Sequence, residues 1–339
     1  MKKNVKSGKN ANVSVNADMD TNSKANTETN TKAKAKANTG VSAKNRRMIR
    51  KLEPYFFMAP SYLLLLGFVA YPLANCIRMA FLDYRLAHPN GHPFIGFDNF
   101  KKVFMDSDIL LIVQNTLVFV IATVSLQFIL GMTLALALKK PFRLRKAYQA
   151  IVFLPWSLSS FIVGLNFRWL FNGEYGPIND LLMKSGLITE KIVMLGSAQF
   201  SLLTVIIALT WWGIPFFGIM LLAALQSIPE DFYEAASLEG CGGVRSFFLI
   251  TLPTIKPTVV ITVLLRVIWV FNNADLIYVM TKGGPANTSH TLSSYMFTKA
   301  YSTLDFGMAS ALGVMFIVIL ILFALFFMQT TKYSETGGD

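Results

Sequence analysis

Long stretches of this chain have no charge. Only 15% of its 339 residues are Asp, Glu, Lys or Arg, against roughly a quarter in soluble domains. Residues 56–76, 109–138, 147–167, 192–229 and 306–331 contain none of the four. About 20 apolar residues cross a hydrocarbon core of about 30 Å as a helix. All five runs reach that length, and a sixth, 257–280, does so apart from Arg266 and Asp275. A soluble enzyme is thereby excluded, and so is a β-barrel, whose strands would be about 10 residues of alternating polarity. Cysteine is nearly absent. Cys76 and Cys241 fall on opposite membrane faces in the topology derived below, so no disulfide is expected. The three scattered histidines do not make the cluster that a polytopic membrane enzyme needs. His88 and His92 sit four apart, but Pro89, Gly91 and Pro93 forbid the helix that would align them. An exposed loop is expected there, with no metal site. Nor does the chain contain the G-x-x-x-x-G-K-[ST] phosphate loop.

What is present is an all-α membrane protein. Six transmembrane helices are expected at about 56–78, 109–138, 147–170, 201–225, 257–280 and 306–331. The net charge of +12 would suggest nucleic acid in a soluble protein, but its placement argues otherwise. Thirteen of the 31 Lys and Arg residues precede Glu53, and five more fill the acid-free loop 139–146. Cytoplasmic ends of transmembrane helices carry such excesses. With the N-terminus inside, the inner side holds 21 Lys and Arg and the outer side seven, three intramembrane Arg being left out. Both termini are therefore expected in the cytoplasm, with membrane lipid and no nucleic acid as partner.

Residues 1–45 contain no Phe, Trp, Tyr, Leu or Ile but nine Asn. Such a segment cannot bury enough apolar surface to offset its ordering entropy, so a disordered cytoplasmic tail is expected, with no cleavable signal peptide. The domain of six helices then spans 46–339, its first helix anchored by the basic run 46–51 (RRMIRK).

Between the fourth and fifth helices lies a cytoplasmic segment, 227–253, with the properties of a short helix. Ser227 with Glu230 has capping-box spacing. Pro229 suits a first turn, and Glu230 and Asp231 meet the positive end of the dipole. Gly240 is placed to end the helix in the left-handed conformation. Ala235 and Ala236 leave a patch where another backbone can approach closely. Spacing alone leaves two readings open: docking into a groove on a soluble partner, or an ordinary connector on the membrane surface.

The residues themselves add a resemblance. Glu234-Ala-Ala, Gly240 six positions on, and Ile250-Thr-Leu-Pro253 resemble the EAA motif of permease subunits in binding-protein-dependent ABC importers. Ala223-Ala-Leu-Gln-Ser-Ile-Pro229, Phe153-Leu-Pro-Trp156 and Asp275-Leu-Ile-Tyr-Val-Met-Thr-Lys-Gly-Gly-Pro285 are similar to landmarks of its carbohydrate-uptake branch (maltose, glycerol-phosphate and oligosaccharide types). The likeness runs from about 53 to 332. Glu239-Gly-Cys241 stands where the family usually has Asp-Gly-Ala, and Gly242-Gly243 loosens the following turn. The outer loop is short, so maltose itself is not implied.

The resemblance implies a multi-pass protein of a prokaryotic inner membrane and a mechanism. Glu234, Ala235, Ala236 and Gly240 would form a coupling helix seated in a cytoplasmic ATPase, with Leu252 and Pro253 fixing the return into the fifth helix. The implied partners are a dimer of ATPase subunits, which bind ATP and Mg, a second homologous permease and an extracytoplasmic solute-binding protein. This chain would itself hold no cofactor and catalyse nothing.

Ionisable and polar groups at membrane depth are functional candidates. Arg266, Trp269, Asn272, Asn273 and Asp275 form the candidate substrate path, with Trp269 as a stacking surface and the amides facing sugar hydroxyls. A structural ion pair, or an acid on the partner permease, accounts for Arg266 at least as well, and interhelical hydrogen bonding explains the other polar residues equally well. An ion-coupled secondary transporter is the alternative function. It predicts carboxylates or broken helices near the midplane, and leaves the EAA-like segment unexplained. A purely structural subunit predicts that breaking 234–240 leaves transport intact.

Overall fold

A computed structural model describes residues 54–87 and 91–331. The tail at 1–45, the basic run 46–51 and His88 lie outside the described residues. The chain divides into two units, Met1–Leu73 and Ala74–Asp339. The first contributes most of α1 (Pro54–Ala80), an apolar helix interrupted by a π turn at Leu66–Ala70.

The second unit is helical, with only two isolated bridges, Leu82 to Phe94 and Arg85 to Asp305, among the described residues. Short α2 (Asp98–Met105) precedes α3 (Ile109–Lys139), which at 1.5 Å per residue is about 46 Å long. Then come α4 (Arg145–Phe153), α5 (Ser160–Leu170), α6 (Pro177–Lys184) and α7 (Ser201–Gln226). Next follow α8 (Asp231–Leu238), α9 (Gly243–Thr254), α10 (Lys256–Phe271) and α11 (Asp275–Met280). The unit ends with α12 (Leu292–Tyr301) and α13 (Phe306–Thr331).

The core is the seam between α3 and α7. Phe119, Leu138, Leu209, Phe217, Leu221 and Leu225 are buried there. Gly131 of α3 leaves room for Phe217, and Gly218 of α7 for Leu134. Small residues let helix backbones approach closely, the usual means of association where lipid removes the hydrophobic drive.

Four helices, α1, α3, α7 and α13, are individually long and apolar enough to cross a membrane. The count reaches six if each of two bent pairs is one span. A single helix over 147–170 is not what forms. The run 145–157 meets α5 at 94°, because Pro155 closes a 3-10 turn and Leu158 and Ser159 are extended. The Leu158 carbonyl freed by the break accepts from Trp212 Nε1 at 3.0 Å. The helix expected over 257–280 is likewise two, α10 and α11, separated at 272–274, and α9 meets α10 at 73°.

Candidate functional site

The helix expected within 227–253 is α8, but its cap differs. Ser227 closes α7 instead, its hydroxyl donating to the Ala224 carbonyl at 2.8 Å. Because α8 has Glu230, three residues on, at its N-cap, no capping box forms at Ser227, and the helix begins without a side-chain cap. Its other end follows expectation. Gly240 has φ +76°, its N–H donates to Ser237 O at 3.0 Å and that of Cys241 to Ala236 O at 2.9 Å. This is the paired arrangement of a Schellman ending. Cys76 and Cys241 are both free thiols.

One side of α8 is held to the bundle. Lys139 Nζ sits 4.0 Å above the Tyr233 ring, and the Tyr233 hydroxyl pairs with Thr251 Oγ1 at 2.9 Å. The opposite side is open. Glu234, Ala235 and Gly240 are exposed and Ala236 is half-buried, while Phe232 is 56% and Leu238 90% exposed. A cleft of about 560 Å³ beside it is lined by Leu136, Lys140, Tyr233, Cys241 and Phe247. Beyond it, Leu252 is half-buried and Pro253 exposed, just before the buried Ile255 at the bend into α10.

Four of the five substrate-path candidates come together. Arg266, Trp269, Asn272 and Asn273, with Trp156 and Trp212, line a cavity of about 320 Å³. Arg266 is 1% exposed. Its Nε donates to Gln127 Oε1 at 2.6 Å, and its guanidinium carbon lies 5.6 Å from the Trp212 ring and 5.7 Å from that of Phe216. Arg266 Nη2 and Asn273 Oδ1 are buried without partners, whereas Asn272 Nδ2 donates to Ile268 O at 2.9 Å. Asp275 stands apart, accepting from the Ser160 hydroxyl and so joining α11 to α5. Gln127 is the residue sequence reasoning missed. A neutral amide in the apolar run 109–138 was its only signal.

A second polar cluster also went unnoticed. The Tyr295 hydroxyl donates to Asp106 Oδ2 at 2.6 Å, and Lys299 Nζ lies 3.6 Å from the same oxygen. Asn287 donates to Asp108 Oδ2 at 2.7 Å. Burial pushes the Tyr295 phenol up, and its bond to Asp106 adds to the effect. Burial alone would raise the Asp106 carboxyl, but Tyr295, the Asp108 amide and Lys299 together hold it below its ordinary value. Burial, then Lys299, lowers His290 to about 4 against a weaker pull from Asp108. Among the described residues no three His, Cys, Asp or Glu converge as metal ligands.

The chain as a whole has counterparts among known proteins. The profile of the family described as "Binding-protein-dependent transport system inner membrane component" matches residues 127–336. The chain belongs to this family. Its members are multi-pass proteins of the inner membrane, and the resemblance read from the EAA-type segment holds at that level. Among relatives of this permease, the sulfoquinovosyl glycerol transport system permease protein SmoG of Agrobacterium fabrum is 34% identical, over 84% of this chain and 89% of that protein. The trehalose/maltose transport system permease protein MalF of Thermococcus litoralis is 29% identical, over 83% and 94%. The fold matches a chain in the crystal structure of a bacterial alginate ABC transporter in complex with alginate pentasaccharide-bound periplasmic protein. There the TM-score is 0.74 and the identity 24%, over 86% of this permease and all of that chain.

Proposed function

We propose that this permease is the membrane-spanning subunit of an ATP-driven importer for a sugar or sugar derivative. The observation that carries the reading is α8, a Schellman-ended helix that presents Glu234, Ala235 and Gly240 to solvent between α7 and α9. An exposed helix end with apolar Leu238 and Phe232 beside small side chains suits insertion into a groove on a soluble protein. That protein is a separate ATPase, working as a dimer that binds ATP and Mg. Closure of the ATPase pushes α8, and Leu252 and Pro253 pass the movement through the bend into α10. Two packed arrangements of the bundle are thereby biased by nucleotide state.

In this proposal 145–170 and 257–280 each count as one span despite their breaks, giving six with α1, α3, α7 and α13, and both termini are on the cytoplasmic side, as is the basic loop 139–146. The solute arrives on an extracytoplasmic binding protein, enters between this chain and a second, related permease, and passes the cavity at Arg266. The sugar class rests on what the relatives are named for and on the indoles of Trp156, Trp212 and Trp269 around that cavity, flat apolar faces that suit sugar rings.

The test is co-purification of the tagged chain from native membranes in mild detergent, with companions identified by mass spectrometry. An ATPase and a second permease are expected. Recovery of the chain alone, with solute uptake continuing in ATP-free vesicles, replaces this reading with an ion-coupled transporter.

A further inference from the structure

Arg266 poses a charge problem that the described residues leave unsolved. Its guanidinium is cationic at every accessible pH, and burying a charge without a counter-charge is strongly penalised. Yet the side chain is 1% exposed. Its hydrogen-bond acceptor is the neutral Gln127 amide, and its other compensation comes from the Trp212 and Phe216 ring faces. Nη2 has no partner. The ion pairs among the described residues are Arg85 with Asp83 and Asp305, Lys191 with Asp180, and Lys299 with Asp106; none of them reaches Arg266. The one charged group on the lining of the 320 Å³ cavity is therefore a cation without a counter-ion.

The remaining lining describes what would sit beside that charge. Trp156, Trp212 and Trp269 offer flat apolar faces, and the side chains of Asn272 and Asn273 lie on the same lining. A flat solute with C–H faces, a hydroxyl donor and an anionic group matches all three features.

We propose that the solute carries an anionic group, a carboxylate, sulfate, sulfonate or phosphate, that Arg266 receives as it passes. This rests on the importer reading and narrows its solute to an acidic sugar derivative. Guanidinium groups suit such anions through charge-assisted hydrogen bonds; with Nε given to Gln127 and Nη2 packed against Gly213, one such bond is what the proposal calls for. Among the described residues nothing balances this charge, so an anion that pairs with Arg266 also favours the loaded cavity.

The experiment uses the importer assembled with its partner permease and ATPase in lipid nanodiscs, with tryptophan fluorescence as the readout. Glucose, glucuronate and glucose 6-sulfate are the probes, titrated against wild type, Arg266→Gln and Arg266→Lys. Both anions are expected to bind about tenfold or more tighter than glucose, as one charge-assisted hydrogen bond provides. Arg266→Gln removes that preference and Arg266→Lys keeps most of it. Equal binding of glucose and the anions by the wild type overturns the proposal, as does a preference that survives in Arg266→Gln. No response to either anion counts against it equally. If Arg266→Gln fails to assemble and the wild type shows no anion preference, the charge belongs to an acid on the partner permease, and the proposal is again wrong. ATP-driven uptake by the wild type is scored separately, so equal binding with intact uptake removes the anion inference alone.

Discussion

One amide, that of Gln127, ties three helices together: Arg266 Nε donates to its Oε1 at 2.6 Å, and its Nε2 donates to the Leu209 carbonyl at 2.6 Å. Gly213 keeps the space open, since a Cβ there would collide with both the Arg266 and the Gln127 head groups. Gln127→Leu leaves the guanidinium without its acceptor and is expected to cost about 3 kcal/mol, the range for a buried charged group losing its hydrogen bond. Gln127→Glu keeps the acceptor and adds a counter-charge, but it loses the donor to the Leu209 carbonyl and sets a carboxylate oxygen against it, so it should melt between Gln127→Leu and wild type. Thermal unfolding of the detergent-purified protein checks both. Equal melting for wild type and Gln127→Leu would show that the pair contributes nothing.

The α3–α7 seam should be intolerant of a single methyl group at position 131. A Cβ there would run into Phe217 Cβ and lie 3.2 Å from the Gly218 nitrogen and the Ile214 carbonyl. Two of these three neighbours are backbone, so the helices themselves must separate. Gly131→Ala is expected to cost about 1–3 kcal/mol, the usual range for overpacking. Gly67→Ala meets nothing within 4 Å and serves as the neutral control in the same melting experiment.

The long helices were legible because length and absence of charge are enough to specify them. The run 306–331 is α13 to the residue, and 109–138 and 201–225 each differ from α3 and α7 by one. The breaks were not legible. The turn at Leu158 and Ser159 depends on Trp212, 54 positions away, to satisfy the freed carbonyl. Ser227 has the spacing of a capping residue, and only the course of α7 decides that its hydroxyl turns back. The EAA-type segment carried a motif and could be singled out. The Tyr295–Asp106 bond, spanning 189 positions, and the Gln127–Arg266 pair carry none, since each is made by packing.

His290 should make stability fall on mild acidification. Its folded pKa is about 4, below the ordinary 6.5, so the unfolded chain binds its proton first. Above about 6.5 both states are neutral and the residue adds no pH dependence. As pH falls from 6.5 towards 4 the unfolded state is increasingly favoured, by about 3 kcal/mol at the end of that window. The ring accepts or donates at Ser294 Oγ, 3.0 Å from Nδ1, and packs where a side chain at Gly283 would stand. His290→Asn should flatten the melting profile between pH 6.5 and 4.5. A profile as steep as wild type would assign the acid sensitivity to other groups.

Gly240 tests whether the ending of α8 matters to transport. At φ +76° an alanine costs about 1 kcal/mol, a local penalty that leaves insertion into the membrane intact. Proline cannot adopt that φ, and it removes the N–H that bonds Ser237 O. Uptake is expected to be reduced in Gly240→Ala and lost in Gly240→Pro. Full uptake by Gly240→Pro would leave the segment a connector and nothing more.

Leu238 separates coupling from folding more cleanly, because it touches so little of its own chain. A leucine 90% exposed at the last turn of a helix stabilises nothing by burial, and substitutions at such sites usually change stability by less than about 0.5 kcal/mol. Leu238→Asp should therefore melt like wild type in the isolated chain. If α8 inserts into the ATPase, the same change places a carboxylate in an apolar groove, which costs several kcal/mol of docking. The ATPase should then disappear from the co-purified complex, and ATP-driven uptake should fall with it. A complex that retains both would mean that this face of α8 is not the one the ATPase grips, because no loss of folding is available to confuse the result.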